Sequence, residues 1–325
     1  MAENNQRVKI QHYVPQFLLR NFTDSEGMLH VCDKSNERVF HTGPSNVAAE
    51  SGFYDFCVGQ SRGTIEDILA TQEATAAPLV HRLLEEENLS CLSEEDKVNL
   101  SIFITIQILR VKSIREMMNQ ALEALKDKII QLGYDREQTE QALGIDPERM
   151  KLQAINGLMG LEDLFPLIHC RPWMLFRTSQ DNPFLISDSP ITRQNLLPGS
   201  GGNLGLAARG IEIYFPLSST LTLGIFCESY REIMLTADDR MKELGLDSGE
   251  LEHACQQMAP EFSAMLRALR DQTPVDLCEK RLANLNALQV AYSSRFLFSS
   301  KNDFSFVKKI LSESPNLKTP MRIVT

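Results

Sequence analysis

The sequence has no uninterrupted apolar run of about 18 residues, the length that a membrane-spanning helix needs. Its longest apolar candidate is interrupted by Gln107 and Arg110, and the N-terminus has no apolar segment typical of a secretion signal. The seven cysteines are widely spaced and form no Cys-x-x-Cys pair, which is typical of free thiols in a reducing compartment. We therefore expect a cytoplasmic protein that is neither secreted nor inserted in a membrane.

Several well-defined catalytic motifs are also missing. There is no Gly-x-Ser-x-Gly elbow, no His-Glu-x-x-His and no Cys–His zinc spacing, so serine hydrolases, zincins and zinc fingers have no support. The glycine-rich loop at residues 199–205 matches neither the Walker pattern nor Gly-x-Gly-x-x-Gly between a strand and a helix. We expect it to be a flexible loop.

The sequence has fewer positively charged residues than negatively charged ones. The 325 residues carry 33 Lys+Arg against 43 Asp+Glu, a formal net charge of −10. This balance argues against a protein that coats duplex DNA through a basic surface, although it leaves room for a local basic groove. Residues 301–325 are locally basic, with five basic and two acidic side chains.

The patterns of apolar, turn-forming and capping residues predict an α+β fold, predominantly helical with a small mixed or antiparallel sheet. A hairpin is predicted over 28–42, and helices are predicted from Thr64, with a kink or break at Pro78, and from Ser93 to about Leu132. A second hairpin is predicted around the turn at 179–183, followed by strands near 211–227 and 295–300. We expect one compact domain over 1–325, with a possible subdivision into a helical part with an N-terminal hairpin (1–170) and a sheet-containing part (171–325).

His12 is a candidate catalytic residue, because an imidazole that titrates near neutrality can act as a general acid or base or bind a metal. Gln16 and Arg20 follow it within one short predicted helix. The alternative is a histidine that only orders this helix through hydrogen bonds to the backbone.

Glu66 and Glu73 are seven residues apart, which places both carboxylates on one face of a helix. Ala70 and Ala77 on that face allow another segment to approach. Such a pair can bind Mg²⁺ or Mn²⁺, or serve as acid and base. The alternative is a solvated acidic stripe.

Gln107 and Arg110 share a face of an otherwise apolar helix and therefore need polar partners, of which Glu66, Glu73 or Asp188 is the expected carboxylate. A buried ion pair and a phosphate-binding arginine are equally compatible with this pattern. Asp188 follows an apolar strand, where loops carry functional groups, but an aspartate before Ser-Pro is also an ordinary turn former.

The string from His12 to Phe22, His-Tyr-Val-Pro-Gln-Phe-Leu-Leu-Arg-Asn-Phe, resembles the opening signature of a microbial family catalogued as a domain of unknown function. The resemblance extends over about residues 10–303, and it departs from the family pattern where Ser-Asp-Ser-Pro replaces Ser-Asp-Asn-Pro. It implies that the shared polar positions form one site, and it implies no particular reaction. The further matching positions are Gly52-Phe53-Tyr54, Ile65-Glu66, Glu73, Gln107, Arg110, Ile186 to Pro190, Tyr214 to Ser218, Asn286 and Arg295.

The leading hypothesis is a phosphodiester hydrolase, a nuclease for RNA or single-stranded DNA that serves as a toxin or phage-defence effector. Its catalytic residues would be His12, Glu66, Asp188 and Arg110. Glu66, Glu73 and Asp188 would bind a divalent metal, Mg²⁺ or Mn²⁺, and Arg20, Gln16 and Gln107 would bind the substrate. Two alternatives remain: a metal-independent RNase using His12 and an arginine, and a non-catalytic interaction or sensor module that has a protein partner and a buried polar network.

Overall fold

Two larger sheets, two sheets of two strands each and a group of helices make up the described part of the chain. The computed structural model describes residues 10–58, 61–143, 160–197, 199–232, 234, 236 and 260–319. The sequence pattern also predicts helices near 136–160, 228–245 and 249–270, and these lie partly outside the described residues.

Thirteen strands are assigned in the described residues. In chain order they are β1 (Ile10–His12), β2 (Leu29–Asp33), β3 (Arg38–Thr42), β4 (Ala49–Ser51), β5 (Asp55–Val58), β6 (Ser61–Thr64), β7 (Trp173–Arg177), β8 (Ile186–Ser187), β9 (Thr192–Asn195), β10 (Ile211–Pro216), β11 (Leu221–Phe226), β12 (Val275–Asp276) and β13 (Phe296–Ser299).

Ten α-helices have their bounds in the described residues. They are α1 (Gln16–Arg20), α2 (Glu66–Glu86), α3 (Glu94–Leu109), α4 (Lys112–Gln131), α5 (Arg136–Leu143), α6 (Leu161–Leu164), α7 (Pro166–His169), α8 (Pro260–Asp271), α9 (Glu279–Tyr292) and α10 (Ser305–Glu313).

The larger sheet has five strands in the order β12-β7-β11-β10-β9, antiparallel except for the parallel pair β12–β7. Every residue of β10 and β11 is buried, which explains their continuous apolar runs. A second sheet has the order β3-β2-β13-β8 and is antiparallel throughout. The predicted α+β class with small mixed and antiparallel sheets is confirmed.

The hairpin predicted around residues 179–183 is wrong. β7 and β8 flank this turn, but they belong to different sheets. β7 takes β11 and β12 as its neighbours, and β8 pairs with β13. Because both strands are buried, each needs sheet partners, and the local sequence does not say which ones. The 28–42 hairpin, by contrast, forms as β2–β3.

The helix predictions are partly confirmed. Ser93 accepts a hydrogen bond from the Asp96 N–H and starts α3 with the expected capping box. The helix does not continue to Leu132, because the backbone becomes extended at Val111 before α4 begins. α2 runs through Pro78 without a break, since Pro78 and the Ala74 carbonyl that loses its partner are both on the exposed face.

The main core joins the first helices to the larger sheet. Phe103 of α3 contacts Phe17 of α1 and Phe215 of β10, with ring centroids 5.7 Å and 6.2 Å apart. α2 packs beside α3. This packing fixes α1, α2 and α3 relative to one another, and the candidate site lies beside α1 and α2. No helix in the described residues is long and apolar enough to cross a membrane.

Candidate functional site

Most of the predicted polar residues meet in one open pocket, which we call the His12 pocket. It has a volume of about 450 Å³ and lies between β1, α1 and α2. Its lining residues are Ile10, His12, Gln16, Phe17, Arg20, Glu66, Glu73, Ala74 and Ala77.

The His12 ring is held by contacts at both nitrogens. β1 pairs with β4 so that His12 lies opposite Ala49, and this places the ring near the turn that contains Ser45. Nε2 lies 3.3 Å from the Ser45 carbonyl, which can only accept, so Nε2 carries the proton. Nδ1 faces the Gln16 amide at 3.5 Å and is the basic atom. Burial lowers the pKa of His12 below its ordinary value, although the Ser45 carbonyl opposes this.

Gln16 and Arg20 continue this chain of contacts along α1. They are four residues apart and therefore share a face of the helix. The Arg20 Nη2 donates to the Gln16 Oε1 at 3.2 Å. Arg20 is exposed, so it brings a positive charge to the mouth of the His12 pocket.

Glu66 lies in the first turn of α2, half-buried beside Glu73. Its Oε2 is buried and has no hydrogen-bond partner. Burial raises the pKa of the Glu66 carboxyl, and the negative charge of Glu73 raises it further. Glu66 therefore holds its proton to higher pH than an exposed glutamate does.

Of the three carboxylates predicted as partners of Arg110, the structure pairs it with Glu73. The Arg110 Nη1 donates to the Glu73 Oε1 at 2.7 Å, and its Nε donates to the Gln107 Oε1 at 2.7 Å. The Gln107 Nε2 in turn donates to the Tyr13 carbonyl at 2.8 Å. The Arg110 side chain is only 1% exposed, and its Nη2 has no partner. These contacts link α2, α3 and the segment before α1.

Asp188 lies in a different pocket, together with Tyr13 and Arg295. Its Oδ1 accepts from the Ser294 N–H at 2.7 Å, and its Oδ2 accepts from the N–H groups of Arg295 and Phe296 at 2.7 Å and 2.9 Å. Burial raises the pKa of Asp188 to about 6, against the effect of these three donors. The carboxylate thus holds the turn that leads into β13.

The structure does not gather the three carboxylates that the sequence assigned to a divalent metal. Glu66 and Glu73 line the His12 pocket, whereas Asp188 does not. In the parts of the chain that the structure describes, the oxygens of these three residues do not all lie within 4.8 Å of one another. The structure therefore brings together His12 and two of the three acids.

The chemistry available in the His12 pocket is proton transfer beside a positive charge. Burial moves the pKa of His12 down and that of Glu66 up, so the two values approach each other. One group that accepts a proton and one that donates a proton can serve as base and acid toward a substrate. The charge of Glu73 is offset by Arg110, which leaves Arg20 to attract an anion.

The structure also forms a cluster of polar side chains that the sequence did not predict. Asp24, His30 and His41 bring one ligand atom each to within 4.8 Å of one another. The sequence did carry a signal, because His30 and His41 are equally far from the centre of the turn at 34–37 and so face each other across the hairpin.

Comparisons with known proteins give a family and no activity. No curated protein matches the chain, and no solved structure does. A family model described as a protein of unknown function, DUF4238, matches residues 10–303. The chain therefore belongs to the DUF4238 family.

Proposed function

We propose that the protein is a phosphodiester hydrolase, a nuclease that acts on RNA or single-stranded DNA in the His12 pocket. One observation carries this proposal: His12 with a lowered pKa and Glu66 with a raised pKa line the same pocket as the exposed cation Arg20. A base, an acid and an anion-binding group are what cleavage of a phosphodiester requires.

The residues divide the work as follows when the polymer is RNA. The His12 Nδ1 accepts the proton of the 2′-hydroxyl, whose oxygen forms a bond to phosphorus. The bond from phosphorus to the 5′-oxygen breaks, and protonated Glu66 donates its proton to that oxygen. Arg20 balances the charge on the phosphoryl oxygens. Water replaces the 2′-hydroxyl as the nucleophile in hydrolysis of the cyclic product.

The size and charge of the pocket favour a short or single-stranded substrate. A volume of about 450 Å³ lies within the range of small-ligand pockets, roughly 300–1,000 Å³. A net charge of −10 opposes binding along a duplex. We therefore expect one or two nucleotides to enter the pocket while the rest of the strand makes few ionic contacts.

The acid–base version is favoured over a metal-dependent one. A divalent metal would rely on Glu66 and Glu73, because Mg²⁺ is often bound through only one or two carboxylates and the substrate phosphate. The Glu73 Oε1, however, already accepts from Arg110, and both oxygens of Asp188 accept from backbone N–H groups. We therefore expect cleavage to persist in excess chelator.

The experiment is cleavage of a panel of labelled RNA, single-stranded DNA and duplex DNA, with Mg²⁺, with Mn²⁺ and with chelator. Glu66→Gln and His12→Asn are each expected to lower the rate by about 100-fold or more, because each removes a proton-transferring group. Glu85→Gln, also on α2 but 66% exposed, is the matched control and keeps the full rate.

The results of this experiment distinguish the acid–base mechanism from the metal-dependent one. Cleavage that is abolished by chelator and by Glu73→Gln supports the metal-dependent version. Full activity in both Glu66→Gln and His12→Asn removes the proposed site. If the polymer is cellular RNA, induced expression in bacteria arrests growth, as a toxin or defence effector would, and the Glu66→Gln protein does not.

A second candidate function is a non-catalytic interaction or sensor module with a protein partner. The buried network of Arg110, Gln107, Glu73 and the Tyr13 carbonyl favours it, because such a network can serve the fold alone. In that case Glu73→Gln lowers the free energy of unfolding by about 3 kcal/mol, since it leaves the Arg110 charge buried. No polymer is then cleaved by the wild type.

A further inference from the structure

Outside the His12 pocket, two histidine side chains converge on one carboxylate oxygen. The Nε2 atoms of His41 and His30 lie 2.7 Å and 3.3 Å from the Asp24 Oδ2. Asp24 and His30 are partly buried, while His41 is 37% exposed. The cluster is therefore open to solvent on one side.

The backbone fixes this convergence. His30 of β2 lies directly opposite His41 of β3, and their rings stack with centroids 4.4 Å apart and planes 15° apart. The Asp24 Oδ1 accepts from the N–H groups of Glu26 and Met28 at 2.9 Å and 3.1 Å. This leaves the Oδ2 to face the two imidazoles.

We propose that Asp24, His30 and His41 bind a transition-metal ion, with Zn²⁺ as the best fit. Two imidazole nitrogens and one carboxylate oxygen form a ligand set that suits Zn²⁺ and leaves the fourth position of a tetrahedron to water. Mg²⁺ and Ca²⁺ prefer oxygen ligands and fit this set poorly.

The distances are close to those that a bound ion needs. Ligand atoms about 2.0–2.1 Å from a tetrahedral Zn²⁺ lie about 3.3 Å from one another. The His30 Nε2 and the Asp24 Oδ2 are already 3.3 Å apart. The His41 contact, at 2.7 Å, has to lengthen by about 0.6 Å, which its partly exposed side chain allows.

This proposal does not rest on the proposed nuclease function. None of the three residues lines the His12 pocket. An ion bound here links the turn at 24–28 to both strands of the hairpin, so its effect is expected on stability. A metal that binds only the folded chain raises the melting temperature in proportion to the logarithm of its concentration.

The test is titration of metal-free, full-length protein with Zn²⁺ against a chromophoric chelator, together with thermal melts. The wild type is expected to bind one Zn²⁺ per chain at this site and to melt at a higher temperature with Zn²⁺, but not with Mg²⁺. Asp24→Asn and His41→Ala should each weaken binding by about 100-fold or more and remove the thermal shift. His81→Ala, which changes a histidine that is 70% exposed on α2, is the control and should bind as the wild type does.

Circular dichroism of the metal-free variants shows whether they fold. His41→Ala is expected to disturb the fold less than Asp24→Asn, because His41 is partly exposed. Unchanged Zn²⁺ binding in folded Asp24→Asn and His41→Ala would overturn the proposal, because the ion would then lie elsewhere. So would a wild type that binds no Zn²⁺, which would leave Asp24 as a hydrogen-bond acceptor for two histidines.

Discussion

Asp188 belongs to the Ser-Asp-Ser-Pro motif, but its carboxylate stabilises the backbone by accepting hydrogen bonds. Its carboxylate is 1% exposed and accepts from three consecutive N–H groups at 294–296. The sequence assigned it to catalysis and metal binding, with an ordinary local turn as the alternative. Its carboxylate instead bonds the backbone of a turn more than 100 residues later in the chain. Removal of the carboxylate leaves three donors without acceptors in a buried place.

We predict that Asp188→Ala lowers the free energy of unfolding by about 3 kcal/mol or more, a fall of roughly 6 °C or more in melting temperature. Thermal melts of the wild type and variant measure it. Asp181→Ala, on an exposed loop residue, should melt within about 2 °C of the wild type. A normal melting temperature with lost cleavage would instead return Asp188 to the catalytic group.

The pH dependence of cleavage follows from the shifts in the His12 pocket. His12 must be neutral to accept a proton, so the rate rises with pH through a pKa that burial holds below 6.5. Glu66 must be protonated to donate, so the rate falls through a pKa that burial raises above 4.5. We predict a bell-shaped profile of kcat/KM with its optimum between these two values.

A short labelled oligonucleotide assayed from about pH 4 to about pH 8 gives this profile. The residual activity of Glu66→Gln should lack the limb that belongs to Glu66. A rate that keeps rising above pH 7 would contradict the acid–base assignment, because that behaviour is expected of a metal-bound hydroxide.

For the helices and strands, features that depend on neighbours in sequence could be predicted, whereas the pairing of strands distant in sequence could not. The capping residue Ser93, the β2–β3 hairpin and the apolar runs of β10 and β11 depend on neighbours in sequence, and all were predictable. The partner of β8 is β13, about 110 residues later in the chain, and nothing in either strand specifies it. Contacts between distant residues were equally hard to predict in the site. The sequence identified both Glu73 and Arg110, but it left three carboxylates as possible partners of Arg110.

Pro78 gives a test of how α2 tolerates a residue that most helices exclude. It lies inside the helix on the exposed face and offers no N–H to the Ala74 carbonyl. We predict that Pro78→Ala raises the free energy of unfolding by about 1–3 kcal/mol, because it restores that hydrogen bond. Thermal melts measure the change, and a lower melting temperature would mean that the proline helps to place Glu66 and Glu73.

For the whole molecule, the main question is whether the parts before and after residue 171 are separable. The four-stranded sheet takes β2 and β3 from the first part and β8 and β13 from the second. The main core also joins Phe103 to Phe215 across this point. Both observations favour the predicted single domain over its subdivision.

We predict that residues 1–170 and 171–325, produced separately, do not unfold cooperatively, because each loses partners for strands that are otherwise buried. The intact chain should show one cooperative transition. Far-ultraviolet circular dichroism during heating compares the three proteins. A cooperative melt of either part alone would establish two domains.

The central position of β13 also determines when the second sheet can be completed during synthesis. β13 lies between β2 and β8, yet it is made about 260 residues after β2. At about 5–20 residues per second, β2 waits roughly 15–50 s on the ribosome with one edge unpaired. An unpaired edge invites pairing with other chains, so β2 needs shielding throughout that interval.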